Sequence, residues 1–289
     1  MECQRMFKLT VKEYEKYLST RIMNNMKLQH QVLRELSRAT ADAGRPGIAI
    51  PSIDLEYVTR RAGSRAGALK AIQRLVKAEQ VLPIRKDLLV LPDTTGRLSV
   101  DLVDVIDAIA PRPYLITAGR ALEHHHLSDQ HFFGIIVLVP REVQKISWRG
   151  QTATFMVTTP SNIWGWKGGT RPQYAEPERA IVDALNHPRY GVSLTQVLDA
   201  LLLGAKKDPR FLDRLLKTVV RLDSRAAARR TGLVVERLFG PARAEPYRSL
   251  IGENRTPILL RPRGNDSGPL DSSWRVKVNA IVEPERSAV

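Results

Sequence analysis

The segment Asp54–Pro92, "DLEYVTRRAGSRAGALKAIQRLVKAEQVLPIRKDLLVLP", decides the fold of the N-terminal part of the chain. "DLEYVTRRAG" predicts a short helix with Asp54 near its start, closed by Gly63. "SRAGALKAIQRLVKAEQ" predicts a second helix, with Ser64 at its N-cap. "VLPIRKDLLVLP" then reads as two short strands turning near Arg85, Lys86 and Asp87. At about 100° per residue, Leu69, Ile72, Leu75 and Val76 form the apolar face of the second helix. Lys70, Gln73, Arg74 and Lys77 lie opposite, with small Ala66 and Gly67 on the same outer side one turn earlier. No acidic residue occurs between Arg60 and Ala78. That absence separates this helix from an ordinary solvated one.

Working outward, "VKEYEKYLSTRI" places Val11, Tyr14, Leu18 and Ile22 at helical spacing. A further helical stripe, Leu28, Val32, Leu36 and Ala39, follows in "MKLQHQVLRELSRATADAG", and Gly44, Pro46 and Gly47 stop it. "IAIPS" reads as a short strand. Helix, strand, helix, tight turn, helix and hairpin is the order of a winged helix-turn-helix, whose second helix after the turn enters the major groove. The expected DNA contacts are Lys70, Gln73, Arg74 and Lys77, with Arg60, Arg61, Ser64 and Arg65 around the turn and Arg85 and Lys86 at the wing. For any one of these residues alone the alternative is a solvated helix face.

Beyond the hairpin, proline and glycine flank a helix predicted from Val100 to Ala110. The domain boundary is placed between Thr95 and Ser99, giving a DNA-binding domain over residues 1–95 and a second domain over 96–289. "ITAGRALEHHHLSDQ" predicts a helix and "FFGIIVLVP" a buried strand. "VQKISWRG" and "QTATFMVTT" alternate around Arg149-Gly150, a hairpin signal. "EPERAIVDALNHP", "SLTQVLDALLLG", "DPRFLDRLLKTVVRL" and "SRAAARRTGLVVERLFG" predict four helices, and "TPILLRP" and "WRVKVNAIV" predict strands. Mixed helices and short strands without repeated βαβ units indicate an α+β fold.

With 289 residues the chain has room for two domains, each with its own core. Its 45 Lys and Arg against 30 Asp and Glu give a net charge of +15. Such an excess favours nucleic acid or an anionic membrane as partner. No stretch approaches the roughly 20 apolar residues of a membrane span. A charged N-terminus without a signal-peptide core and a single cysteine, Cys3, lead to a cytoplasmic protein as the expectation.

A second basic surface is suggested by Arg210, Arg214, Lys217 and Arg221, which recur on one helix face, and by Arg225, Arg229 and Arg230 on the next helix. The other reading is again a solvated polar face. "EHHHLSDQH" invites a metal, but adjacent histidines on a helix point about 100° apart and do not share an ion. Glu178, Arg179 and Asp183 fit a helix start and an i,i+4 ion pair better than an acid/base set. Trp164 and Trp166 in "IWGWKGGT" fit a half-buried loop better than a base-stacking platform. No nucleophile elbow, phosphate loop or HExxH occurs, so no catalytic residue, metal or cofactor is expected.

Three stretches in order, "RPYLITAGRALEHHHLSDQ", "YAEPERAIVDALNHPRYG" and "SRAAARRTGLVVERLFG", resemble the AbiEi family of antitoxins. The matching residues are Ala121, Leu122, His124 and Leu127; Pro177, Glu178, Arg179, Asp183 and Ala184; and Ala227, Arg229, Arg230 and Gly232. Thr231 departs from the family's leucine. The resemblance implies a winged-helix domain followed by an α+β antitoxin domain. It further implies a type IV antitoxin that represses its own operon and opposes a nucleotidyltransferase-like toxin without needing a stable complex with it. An RNA-binding or protein-interaction antitoxin, or a nucleic-acid-modifying enzyme, stands as the alternative.

Overall fold

The computed structural model describes residues 11–283 apart from 63, 86, 94, 98, 254, 255 and 263, with the backbone alone at 11–18, 21, 51, 52, 61 and 62. The chain is a mixed α+β protein that divides into two compact units, Met1–Ala108 and Ile109–Val289.

The first unit begins with α1, Val11–Asp42. The two helical stretches expected here are one continuous helix, because no glycine or proline separates them. Of the expected stripes, Val32 and Leu36 are fully buried and Ile22 is exposed, as are its neighbours Met23 and Met26; the side chains of Val11, Tyr14 and Leu18 lie outside the described residues. Next come β1 (Ile48–Ala49), α2 (Pro51–Ala62), α3 (Arg65–Lys77), β2 (Leu82–Arg85) and β3 (Leu88–Val90). The three strands form one antiparallel sheet in the order β1-β3-β2, with Ile48 opposite Val90 and Pro83 opposite Leu89. Val32 and Leu36 of α1, Leu55 and Val58 of α2, and Ala71, Ile72 and Leu75 of α3 share one core with the sheet. Buried Asp54 fixes the entry to α2. It accepts from the Ile50 backbone N–H at 2.7 Å and from Arg45 Nη2 at 2.8 Å, answering a free helix-start donor and a cation together. Helix α4 (Leu102–Ile109) carries the chain across the division between the units.

In the second unit, β4 (Leu115–Thr117), α5 (Gly119–His124), β5 (Gly134–Val139), β6 (Ile146–Trp148) and β7 (Gln151–Val157) come first. The sheet order is β4-β5-β7-β6, with β5 and β7 parallel and the other neighbours antiparallel. All residues of β5 after Gly134 are buried, as its unbroken apolar run requires of a central strand. The β6–β7 hairpin turns at Arg149 (φ 49°) and Gly150 (φ 78°), two left-handed residues as a type I′ turn demands. The helix expected across "ITAGRALEHHHLSDQ" is confined to Gly119–His124. Its first residues pair as β4 with β5, and Ala118 at φ 54° breaks the chain between strand and helix.

Helices α6 (Pro177–Asn186), α7 (Leu194–Lys207), α8 (Phe211–Leu222), α9 (Arg225–Phe239) and α10 (Pro241–Arg248) follow. The Ser193 and Gln196 capping box starts α7. A small sheet of β8 (Ile258–Leu259), β9 (Leu270–Asp271) and β10 (Val276–Lys277), ordered β8-β10-β9, ends the unit. Strand β9 lies within "GNDSGPLDSS", read from sequence as a flexible connection. Trp274 is fully buried beside Gly232 of α9 and donates from Nε1 to Glu236 Oε2 at 2.9 Å.

Candidate nucleic-acid interface

Helix α3 starts where the sequence placed it. The Ser64 Oγ accepts from the Gly67 N–H at 3.1 Å, answering one of the free donors of the first turn. Ala68, Ala71, Ile72 and Leu75 hold the helix to the core. Leu69, expected on that apolar face, is instead 39% exposed. It lies beside the outer residues because the two small alanines, Ala68 and Ala71, take the inner positions. Gly67, expected outside, is half-buried, and a Cβ there would meet Leu28 of α1 and the Ser64 hydroxyl.

The outer face carries Arg65, Ala66, Lys70, Gln73, Arg74 and Lys77, all exposed. Among the described residues, Arg65, Lys70 and Lys77 have no ion-pair partner. Arg74 donates to Asn25 Oδ1 of α1 at 2.7 Å, so its guanidinium is held in place while staying exposed. Arg60 pairs with Glu56 at 2.6 Å, both side chains about three-quarters exposed. An ion pair in water is worth little and exchanges readily for a phosphate. At the β2–β3 turn, Arg85 is answered by Asp87 at 2.7 Å, so the hairpin tip brings less net charge than its sequence suggests. Lys86 and the Arg61 side chain lie outside the described residues.

The second group of basic residues divides in two. On α8, Arg214 bonds Asp208 and Glu178, each at 2.7 Å, and the Asp208 hydrogen bond raises its pKa. Lys217 is exposed, and exposed Arg221 stacks over the Trp164 ring at 4.3 Å. Arg210 precedes the helix and donates its backbone N–H to Asp208 Oδ1 at 2.8 Å. Arg225 at the start of α9 is also exposed.

Arg229 and Arg230, expected on this surface, are not on it: they are 2% and 8% exposed. Arg229 Nη1 donates to the Thr256 carbonyl at 2.9 Å. Arg230 donates from Nε to the Leu259 carbonyl and from Nη1 to Asn186 Oδ1, both at 2.8 Å. Helix α9 is buried on every side from Ala227 to Val235, so these guanidiniums serve as internal donors to the ends of other elements. Burial pushes the Arg230 pKa down to about 10, which leaves it charged at neutral pH.

The "PERAIVD" segment forms a buried charged cluster. Arg179 Nε bonds Asp183 at 2.9 Å, and Thr117 Oγ1 of β4 donates to Asp183 Oδ2 at 2.7 Å. The i,i+4 pair read from sequence is therefore present, but in the interior. The Arg179 guanidinium also lies over the Trp164 ring at 4.4 Å. In the histidine segment, Glu123 bonds Arg120 at 3.0 Å and His131 Nδ1 at 2.7 Å. His124 stacks on Tyr174 with centroids 3.9 Å apart, and His125 Nε2 lies 2.8 Å from the Ala175 carbonyl. Among the described residues no group of three His, Cys, Asp or Glu could hold a metal ion, and no helix is long and apolar enough to cross a membrane.

No family model and no curated protein matches the chain. Among solved structures, it is similar to the RV2827C protein from Mycobacterium tuberculosis, at 13% identity and a TM-score of 0.59. The match covers 86% of this chain and 90% of that one. At this identity the likeness is one of fold.

Proposed function

We propose that the chain is a DNA-binding repressor of its own operon, with Met1–Ala108 acting as a winged helix and α3 as the groove-reading helix. The observation that carries this reading is the exposed face of α3: three cations without ion-pair partners among the described residues, one glutamine and a small residue at Ala66, with no acidic group in the helix. Supporting it, the helix–strand–helix–helix–hairpin order and the β1-β3-β2 sheet suit a major-groove helix with a flanking hairpin. Lys70 and Lys77 then meet phosphates, Gln73 reaches a base edge, and Ala66 allows close approach of the backbone. Arg60 and Arg65 flank the groove.

Within this proposal the second unit serves as an AbiEi-type antitoxin domain, opposing a nucleotidyltransferase-like toxin in the cytoplasm without catalysis of its own. The motif residues that suggest the family, Leu122, Ala184 and Ala227 among them, pack in one core. They speak for a shared fold more than for a reacting site.

Fluorescence anisotropy with labelled duplexes tests the reading. The DNA upstream of the chain's own gene is expected to bind at least about a thousandfold more tightly than a scrambled duplex, the lower end of the usual range of specificity ratios. Equal binding to both removes the repressor claim. Binding to neither redirects the search to RNA or a protein partner.

A further inference from the structure

We propose that Arg179 and Arg221, which both lie over the Trp164 indole in the second unit, form with Lys217, one helical turn before Arg221, a phosphate-binding site separate from the α3 face. The starting observation is the state of Arg179. Its side chain is 4% exposed and its Nε is committed to Asp183, yet its Nη1 is buried with no hydrogen-bond partner among the described residues. A buried cationic donor left without an acceptor is costly, and native folds keep few of them outside sites where something else supplies the acceptor.

A second guanidinium reaches the same ring. Arg221 of α8 stacks on Trp164 at 4.3 Å, against 4.4 Å for Arg179. Among the described residues Arg221 has no ion-pair partner, and neither has Lys217, one helical turn earlier on the same face. The other charges of the cluster are already matched: Arg179 with Asp183, and Arg214 with Glu178 and Asp208. What remains is two exposed cations of α8 and one buried donor whose guanidinium shares the Trp164 ring with Arg221, and a phosphate monoester with about two negative charges balances them. A tetrahedral phosphate also offers oxygens to two guanidiniums at once, whereas a planar carboxylate is satisfied by one fork. The loop holds the Arg179 stem closely. Gly165, at φ 86°, lies against the Arg179 stem, where a Cβ would come within 3.2 Å.

The phosphate has two possible sources, a free nucleotide or a nucleic-acid strand. Calorimetric titration of the full chain separates them, using inorganic phosphate, a nucleoside 5′-monophosphate, the parent nucleoside, and a short single-stranded oligonucleotide with and without a 5′-phosphate. The monophosphate is expected to bind and the nucleoside not. Arg221→Gln, a change on an exposed side chain, is expected to weaken binding at least tenfold, and Lys217→Gln several-fold. Saturation by the monophosphate assigns a free nucleotide. Binding confined to the oligonucleotide, and weakened in Arg221→Gln, assigns a strand phosphate. Equal binding of nucleoside and monophosphate, unchanged affinity in Arg221→Gln, or no binding of any phosphate probe overturns the site. Because the site is independent of α3, Arg221→Gln should leave binding to the upstream duplex unchanged, so the two proposals fail separately.

Discussion

Asp183 accepts from Arg179 at 2.9 Å and from Thr117 at 2.7 Å while 2% exposed. Asp183→Asn leaves the buried guanidinium without its counter-charge and is expected to cost about 3–5 kcal/mol in urea unfolding. A loss below about 1 kcal/mol would show that water reaches the pair. Glu123 makes a pH-dependent contribution. Burial alone would raise its pKa, but hydrogen bonds from His131, the Phe132 N–H and Arg120 outweigh that and hold the carboxyl below its ordinary 4.5. A carboxylate depressed in the folded state contributes stability that is present above its unfolded pKa and lost as pH falls through the folded one. Glu123→Gln is therefore expected to be less stable than the parent at pH 7, with the gap closing below about pH 4. A gap constant from pH 7 to pH 3 would rule this out. Both sites show how far sequence reaches at this scale. The Arg179–Asp183 pair was legible because four residues span one helical turn. The Glu123–His131 contact lies eight residues apart across a loop that no periodicity describes.

Helices show the same divide between local and distant causes. Helix α3, its Ser64 cap and its outer Lys70, Gln73 and Lys77 follow from neighbouring residues and were readable directly. The fates of Leu69 and of Arg229 and Arg230 were not, because they depend on which partner each helix meets. Arg230 finds its acceptor on β8, 29 residues later in the chain. Lys70→Glu with Lys77→Glu alters only exposed side chains. The pair is expected to leave the thermal midpoint within a few degrees and to weaken binding to the upstream duplex by at least about a hundredfold, each charge reversal removing a favourable phosphate contact and adding a repulsive one. Retained affinity would exclude α3 as the contact. In α9, Gly232 lets the Trp274 ring lie on bare helix backbone. Gly232→Ala recovers up to about 1 kcal/mol of helix propensity, but it drives a methyl into a fully buried ring, at a cost of about 1–3 kcal/mol. Overpacking should win, with a lower midpoint in thermal unfolding. A higher midpoint would mean that Trp274 can shift at little cost.

Taken whole, the molecule carries its +15 charge on two units with different demands on it. In the first, the cations of α3 stay outside the core. In the second, part of the arginine content is structural, as the buried Arg179, Arg229 and Arg230 show. Net charge from composition therefore overstates the surface open to a polyanion. The α+β class was legible from the alternation of helical and strand periods. The pairing of β5 with β7 across the β6 hairpin was not, since register between distant strands is set by the shared core. The measurement that bears most directly on the account is the affinity for the upstream duplex over a salt series, against a scrambled duplex. If about six phosphates are neutralised, log affinity should fall with log salt at a slope near −5, with the upstream site preferred throughout. A slope near zero, or the same affinity for both duplexes at every salt concentration, would contradict it.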